Sequence, residues 1–335
     1  MDWVVTSPYF ETAEDRWISD AATVDHHSFT LVPRLGTDRN WHQSAARAGF
    51  GEWANRLRQA RTAFERDDNG VITVFPQLAV AAGLWKLLER SDRPLVAWLF
   101  NTEGLSSALK RSGARLPLGR VDRFVVHSTA EIDGYAGLLR LPSERFEYVP
   151  LQYGGHVEQA EPDGQEEPYV FATGSGYRDY ATFFTAVSKL GLRTLVLASD
   201  RALDGLEVPS NVEILDQLGR PAIRRLVRHA RVNVVPLNDR AFTAGLVTIV
   251  ETFRHGRSLV TTDRPGLEDY CTNGRNVLCA RLFDPKSMAE AIDQMWSDAA
   301  LRAHLDANAH AFAEANCTDE AAAGHLTRVL DEVTS

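Results

Sequence analysis

The sequence predicts an α/β protein built as two doubly wound, Rossmann-like domains, and three observations lead there. Short apolar, β-branched runs alternate with helical patterns along the chain, which is the signature of strand–helix–strand units around a parallel sheet. The runs fall into two sets of about six, separated by a stretch with no apolar periodicity. At 335 residues the chain is long for one core and suits two, since domains usually hold about 100 to 200 residues.

In the first half the strand-like runs are Trp3 to Thr6, Phe29 to Pro33, Val71 to Phe75, Leu95 to Phe100, Phe124 to His127 and Phe146 to Pro150. In the second half they are Tyr169 to Thr173, Thr194 to Ala198, Val212 to Leu215, Val232 to Leu237, Leu259 to Thr262 and Val277 to Ala280. Helical spacing covers Glu52 to Arg66, Gln77 to Arg90, Ala130 to Leu141, Tyr177 to Leu190, Pro221 to His229, Ala299 to Glu314 and Asp319 to Val333. One further helix opens at Asp284-Pro285: Asp can cap, Pro suits the first turn, and Met288, Ala291, Ile292, Met295 and Trp296 share one stripe.

Residues Gly154 to Pro168 are acidic, carry two prolines and three glycines, and read as an exposed linker. The expected division is therefore an N-terminal domain at 1–153, a linker at 154–168 and a C-terminal domain at 169–335, with the last helix able to cross back. Two such domains would leave a cleft between the carboxyl ends of their sheets, where open α/β sheets bind ligands.

Composition narrows the function. A net charge of -9 works against a nucleic-acid partner, which needs clustered Lys and Arg to displace counterions. The three cysteines, Cys271, Cys279 and Cys317, form neither a Cys-x-x-Cys pair nor an even set, and read as reduced thiols of a cytoplasmic protein. Met1-Asp2 leads directly into Trp3-Val4-Val5 without the basic flank of a signal peptide. No run reaches the roughly 18 to 20 apolar residues of a membrane span, while peripheral membrane contact and a homodimer stay compatible with the sequence.

Two segments can carry chemistry. In Thr243-Ala244-Gly245-Leu246-Val247-Thr248-Ile249-Val250-Glu251 a loop opens a helix, whose free amides and positive dipole end can hold a diphosphate. Glu251, about two turns in, could accept hydrogen bonds from a ribose diol. An ordinary amphipathic helix with a solvated Glu is the alternative. In Thr173-Gly174-Ser175-Gly176-Tyr177-Arg178-Asp179-Tyr180, glycines at a strand-to-helix turn let backbone approach a phosphate, and Arg178 supplies fixed positive charge. The third glycine of a dinucleotide fingerprint falls on Asp179, and the Lys-Ser/Thr of a P-loop is absent, so a bare glycine turn is the competing account.

These segments, with Asn211 to Leu215, Leu259 to Asp263, Gly266-Leu267-Glu268, Asn273 to Leu278 and Phe283-Asp284-Pro285, resemble in order and spacing the donor domain of GT-B glycosyltransferases. The resemblance is to the retaining group usually called family 4, or group 1 glycosyltransferases. Val121 to Ser128 with Leu141 to Pro150 is similar to the end of that family's N-terminal domain, so the likeness covers roughly 70 to 330. It implies two Rossmann-like domains facing each other across a cleft, and transfer of a sugar from a nucleotide-diphosphate sugar to an acceptor hydroxyl. The nucleotide sugar, UDP-, GDP- or dTDP-linked, is then a substrate, and no cofactor is implied. The acceptor would be a saccharide, a lipid-linked group or a small molecule.

Residue by residue, the resemblance places Gly174, Ser175, Arg178, Leu218, Gly245, Leu246, Val247, Thr248 and Glu251 at the donor. Glu251 matches the second carboxylate of the family's Glu-x7-Glu motif, the ribose ligand, while Thr243 stands where the first, near the reacting carbon, would be. Ser175 stands where the family commonly has an Arg, leaving Arg178 as one positive charge where two are usual. Asn101 falls near the place of the family's acceptor-side His, and His127, at the end of a strand, is a second candidate for the reacting centre. Ser7 to Thr12 replaces the family's glycine-rich loop after the first strand.

No Asp-x-Asp occurs, which disfavours metal-dependent transfer, and no metal site is expected. His26 and His27 are neighbours whose rings should point apart, without a third ligand at zinc spacing. Trp41, Phe50, Trp53 and Phe64 are read mainly as core residues, with stacking on an acceptor as the lesser alternative. Two other functions compete with transfer: a non-catalytic subunit of the same fold that binds a nucleotide or partner enzyme, suggested by Thr243, Ser175 and Asn101, and a sugar-nucleotide epimerase.

Overall fold

Among the described residues, twelve strands form two six-stranded sheets, parallel throughout. The computed structural model describes residues 1–13, 15, 17–18, 26–36, 49–102, 108–154, 167–216, 218–239 and 243–335. The chain divides into two compact units, Met1–Val149 with Ala322–Ser335, and Pro150–Ala321.

The first unit contains β1 (Asp2–Thr6), β2 (Ser28–Val32), α1 (Phe50–Phe64), β3 (Gly70–Val74), α2 (Pro76–Leu88), β4 (Leu95–Trp98), α3 (Ala108–Leu118), β5 (Arg123–Val126), α4 (Ile132–Leu139) and β6 (Phe146–Tyr148). Its strand order is β2-β1-β3-β4-β5-β6. Both faces of the sheet are covered, which is why the strands read as continuous apolar runs. Val4, Val71, Leu95, Ala97, Phe124 and Val126 pack against helix residues such as Ala60, Phe64, Ala82, Leu118 and Leu139. The alternate residues Trp3, Val5, Ile72, Val96, Trp98 and Val125 face Ala322, Leu326, Val329 and Leu330 of the chain's last helix.

The second unit contains β7 (Val170–Thr173), α5 (Tyr180–Leu190), β8 (Thr194–Leu197), α6 (Asp200–Leu203), β9 (Val212–Ile214), α7 (Arg220–His229), β10 (Val232–Val235), α8 (Leu246–Arg254), β11 (Leu259–Thr262), β12 (Val277–Ala280), α9 (Pro285–Ser297) and α10 (Ala299–Asn316). The final helix α11 (Asp319–Thr334) starts in this unit and belongs to the first from Ala322 onward. The strand order β12-β11-β10-β7-β8-β9 is the doubly wound order whose direction reverses between β7 and β10. Ligand crevices of open α/β sheets form at the carboxyl ends of the strands flanking such a reversal.

Several elements differ from the sequence expectation. The division falls after Val149 rather than after residue 153, because Leu151 N–H donates to the Tyr270 hydroxyl (2.8 Å) and Tyr153 N–H to Cys317 O (2.9 Å), tying this stretch to the second unit. Most of the expected linker, 155–166, lies outside the described residues. The strand expected to reach Phe100 stops at Trp98, where Leu99 takes φ 56°. Helix α3, which holds Gly113 and Pro117, lies between the fourth and fifth strands, where no helix was expected. Pro117 occupies the last turn of α3, and its carbonyl lies against Gly83 of α2.

A Cβ at Gly83 would come 2.1 Å from Pro117 O, so α2 and α3 approach only because that position carries no side chain. Gly83→Ala should destabilise the protein by about 1–3 kcal/mol through overpacking, read as a lower urea midpoint with an unchanged slope.

Candidate functional site

At the reversal, the chain leaving β7 makes a glycine turn that locks onto the chain leaving β10. Arg178 and Leu237 form an antiparallel bridge, Asp179 N–H donates to Pro236 O (2.8 Å) and Asn238 N–H to Tyr177 O (3.0 Å). Gly174 takes φ +103°, a conformation that side chains resist, and a Cβ there would lie 2.5 Å from Arg178 Nη2. The turn is fixed further by the Tyr180 hydroxyl, which donates to Gly174 O (2.6 Å), and by Asp179, which caps α5 through Thr182 N–H (3.1 Å). Burial pushes the Tyr180 hydroxyl up to about 12, so it remains a donor.

The guanidinium of Arg178 is held by neutral oxygens. Nε donates to Thr173 O (3.2 Å), Nη1 to Gly176 O (2.9 Å) and Nη2 to Thr248 Oγ1 (3.2 Å). Thr248 lies in the first turn of α8, so a full positive charge rests against the positive end of a helix. Helix α8 has no side-chain cap: its N-cap is Gly245 at φ +87°, where a Cβ would meet Leu237 Cδ2 and Val235 Cγ1 at 3.0 Å. Leu246 is buried and Val247 exposed. Burial lowers the pKa of Arg178, and the positive charge of Arg264 lowers it further.

Arg264 escaped the sequence reading. It follows β11, the neighbour of β10 opposite β7, and donates from Nη1 to Asn238 O (2.6 Å). Arg178 and Arg264 therefore flank the carboxyl end of β10 from its two sides.

Two turns into α8, Glu251 is mostly buried, with 16% of its side chain exposed. The Tyr153 hydroxyl donates to Oε1 (2.5 Å), and Arg224 of α7 donates from Nε to that same hydroxyl (2.9 Å) while standing 3.9 Å from the carboxylate. Burial raises the Glu251 pKa, and Tyr153, Arg224 and Arg220 pull it back. Thr243 is half-buried and its carbonyl accepts from Leu246 N–H (3.4 Å) at the start of α8. Leu218, 37% exposed, precedes Gly219, the N-cap of α7. Ser175 turns away from this cluster: its hydroxyl accepts from Ser199 N–H (2.8 Å), at the N-cap of α6.

Residues 177–298, just over a third of the chain, match the family model for glycosyl transferases group 1. The matched stretch lies within the second unit and is similar to that family. No curated protein sequence matches the chain. Among solved structures it is similar to sucrose-phosphate synthase from Thermosynechococcus elongatus (TM-score 0.74, 14% identity, 99% of each chain covered). It is also similar to Anabaena HepE in complex with UDP and glucose (0.72, 13%, 98% of this chain and 99% of that one). A third is the lipopolysaccharide outer core galactosyltransferase WaaB (0.63, 10%, 99% of each). At these identities the likeness is one of fold, and it covers both units: the fold is GT-B.

The remaining candidates, Asn101 and His127, belong to the first unit. Asn101 is half-buried just after β4. It follows two non-glycine residues at positive φ on the same sheet edge, Phe75 (φ 90°) and Leu99 (φ 56°), a concentration of strained backbone of the kind found at functional sites. His127 follows β5 and is 6% exposed, with Nδ1–H donating to Val149 O (2.8 Å). In place of the family's glycine-rich loop, the Ser7 carbonyl is fixed by Gln59 Nε2 (3.0 Å), which also donates to Val32 O (3.0 Å).

The rings of His26 and His27 do not point apart as expected. Their centroids are 4.5 Å apart and both Nε2 atoms reach Asp331 Oδ1, at 2.9 and 3.1 Å, a partner on α11 that sequence spacing could not supply. The three form a cluster of metal-ligand type, with ligand atoms within 4.8 Å of one another. Trp3 Nε1–H, however, donates to His27 Nδ1 (3.2 Å), so the ring proton sits on Nε2 and is given to Asp331. A metal-bound His instead offers its far nitrogen as donor to an acceptor, and here that nitrogen faces a donor. The aromatic residues also part company: Phe64 is buried and Trp53 half-buried, Phe50 is 94% exposed against the expectation of core packing because it begins α1 on its outer side, and Trp41 lies outside the described residues. No helix among the described residues is long and apolar enough to cross a membrane.

Burial holds the His127 pKa down at about 4. The unfolded chain takes up this proton near pH 6.5, so stability present above that pH is lost as pH falls toward 4. His127→Gln should reduce this acid-side loss by up to about 3 kcal/mol, checked by urea unfolding between pH 7 and 4.

Proposed function

We propose that the chain transfers a sugar from a nucleoside-diphosphate sugar to an acceptor hydroxyl, with the donor diphosphate at the N-terminus of α8. The observation that carries the reading is Arg178: a cation paired with neutral oxygens at the uncapped positive end of a helix, with a second guanidinium flanking the same strand end. Placing a cation there is unfavourable by about 0.3–1 kcal/mol on its own, and a bound anion reverses the sign of that contribution. Arg264 supplies the second positive charge that Ser175 does not.

Glu251 takes the ribose diol, and the two guanidiniums with the first-turn amides stabilise the charge that develops on the leaving diphosphate. Those groups offer that stabilisation without a divalent ion, and the resemblance implies retention at the anomeric carbon. The acceptor site belongs to the first unit, with Asn101 and His127 as its polar candidates. UDP is the first nucleotide to try, because the Anabaena neighbour is described in complex with UDP. A second reading, a nucleotide-binding subunit without turnover, is favoured by Thr243 in place of the expected first carboxylate.

Calorimetry with UDP, GDP and dTDP should find one that binds. Arg178→Ala should weaken it tenfold or more, about 1.4 kcal/mol, and Arg264→Ala several-fold. Failure of all three to bind the folded protein ends the reading. Product formation from a sugar nucleotide and acceptor separates the transferase from the silent subunit.

A further inference from the structure

The contacts around Glu251 go beyond what its place in α8 requires. Within the second unit, Tyr153 is fixed along its backbone by N–H donation to Cys317 O (2.9 Å) and by Arg254 Nε donating to its carbonyl (3.3 Å). Its ring meets His255 edge-on (6.3 Å), and the Arg224 guanidinium stacks over its face (5.6 Å). The hydroxyl thus has a built position: it accepts from Arg224 and donates to Oε1 of Glu251. Among the described residues no hydrogen bond reaches Oε2.

We propose that Tyr153 and Arg224 are positioning residues of the donor site, holding one oxygen of Glu251 so that the other is presented, ionised, to a ribose hydroxyl. This rests on the donor-site reading given above. A carboxylate accepts from both hydroxyls of a vicinal diol, whereas a protonated carboxyl has lost part of that capacity. Burial works toward protonation, and three neighbours oppose it: Tyr153 from the segment that opens the unit, and Arg224 and Arg220 from α7. Arg254 and His255, at the end of α8, face Tyr153. Removing the Tyr153 hydroxyl deletes a hydrogen bond to the charged form and leaves Arg224 without its relay, so Glu251 should hold its proton to higher pH.

The test compares wild type with Tyr153→Phe and Arg224→Met in full-length protein. The Glu251 carboxyl is titrated by carbon-13 NMR in glutamate-labelled chain, its resonance identified by loss in Glu251→Gln, and UDP affinity is measured by calorimetry from pH 5 to 8. The expected result is an upward move of the Glu251 midpoint by about one unit in Tyr153→Phe. UDP affinity should then stay within about threefold of wild type at pH 8 and fall progressively, by up to about tenfold relative to wild type, as pH is lowered, with Arg224→Lys restoring more than Arg224→Met. An unmoved midpoint, or a variant whose UDP affinity follows the wild-type pH curve, overturns the positioning role while leaving the donor site standing. A folded wild-type chain that binds no nucleotide overturns the donor site, and this role with it.

Discussion

A guanidinium pressed against the wrong end of a helix is the constraint around which the second unit is organised. Arg178 reaches Thr248 across 70 residues of sequence, and the surrounding backbone is shaped to allow it. Gly174 leaves room for the side chain, and the Tyr180 hydroxyl pins the carbonyl of that glycine. Gly245 lets the chain enter α8 against Leu237 and Val235, the strand end to which Arg178 is itself bridged. Such pre-assembly has a thermodynamic logic: a charge already desolvated and aimed needs little reorganisation when its partner arrives.

The same unit departs from the pattern of the family it resembles in a consistent direction. The Ser175 hydroxyl accepts from Ser199 N–H and so serves the start of α6, while positive charge arrives just after β11 as Arg264. Two positive side chains thus flank the end of β10, each from a different segment.

Much of this was legible in the sequence, and the remainder follows one rule. The twelve strands announce themselves as apolar, β-branched runs because most are buried on both faces, the edge strands β2 and β9 being more exposed. Arg178, Gly245 and Glu251 stand out because the strand–turn–helix setting that gives them meaning is local. Arg264, Tyr153 and Asp331 could not be found that way. Tyr153 lies 98 residues from Glu251 and Asp331 lies 305 from His26, and such pairings exist only once the sheets are assembled. Helix α3 was hidden for a different reason: it carries a glycine and a proline, residues of low helix propensity, and its Pro117 carbonyl packs against Gly83 of α2.

The placement of α11 carries a consequence for how the chain is made. Leu326, Val329 and Leu330 close one face of a sheet whose first strand contains Trp3 and Val5, and Asp331 fastens the helix to His26 and His27. The opening segment therefore leaves the ribosome long before its covering layer exists, and the second unit can finish folding first, reversing the usual N-terminal-first order of synthesis. Until α11 is made, the sheet face that carries Trp3, Ile72 and Trp98 lacks the helix residues that bury it.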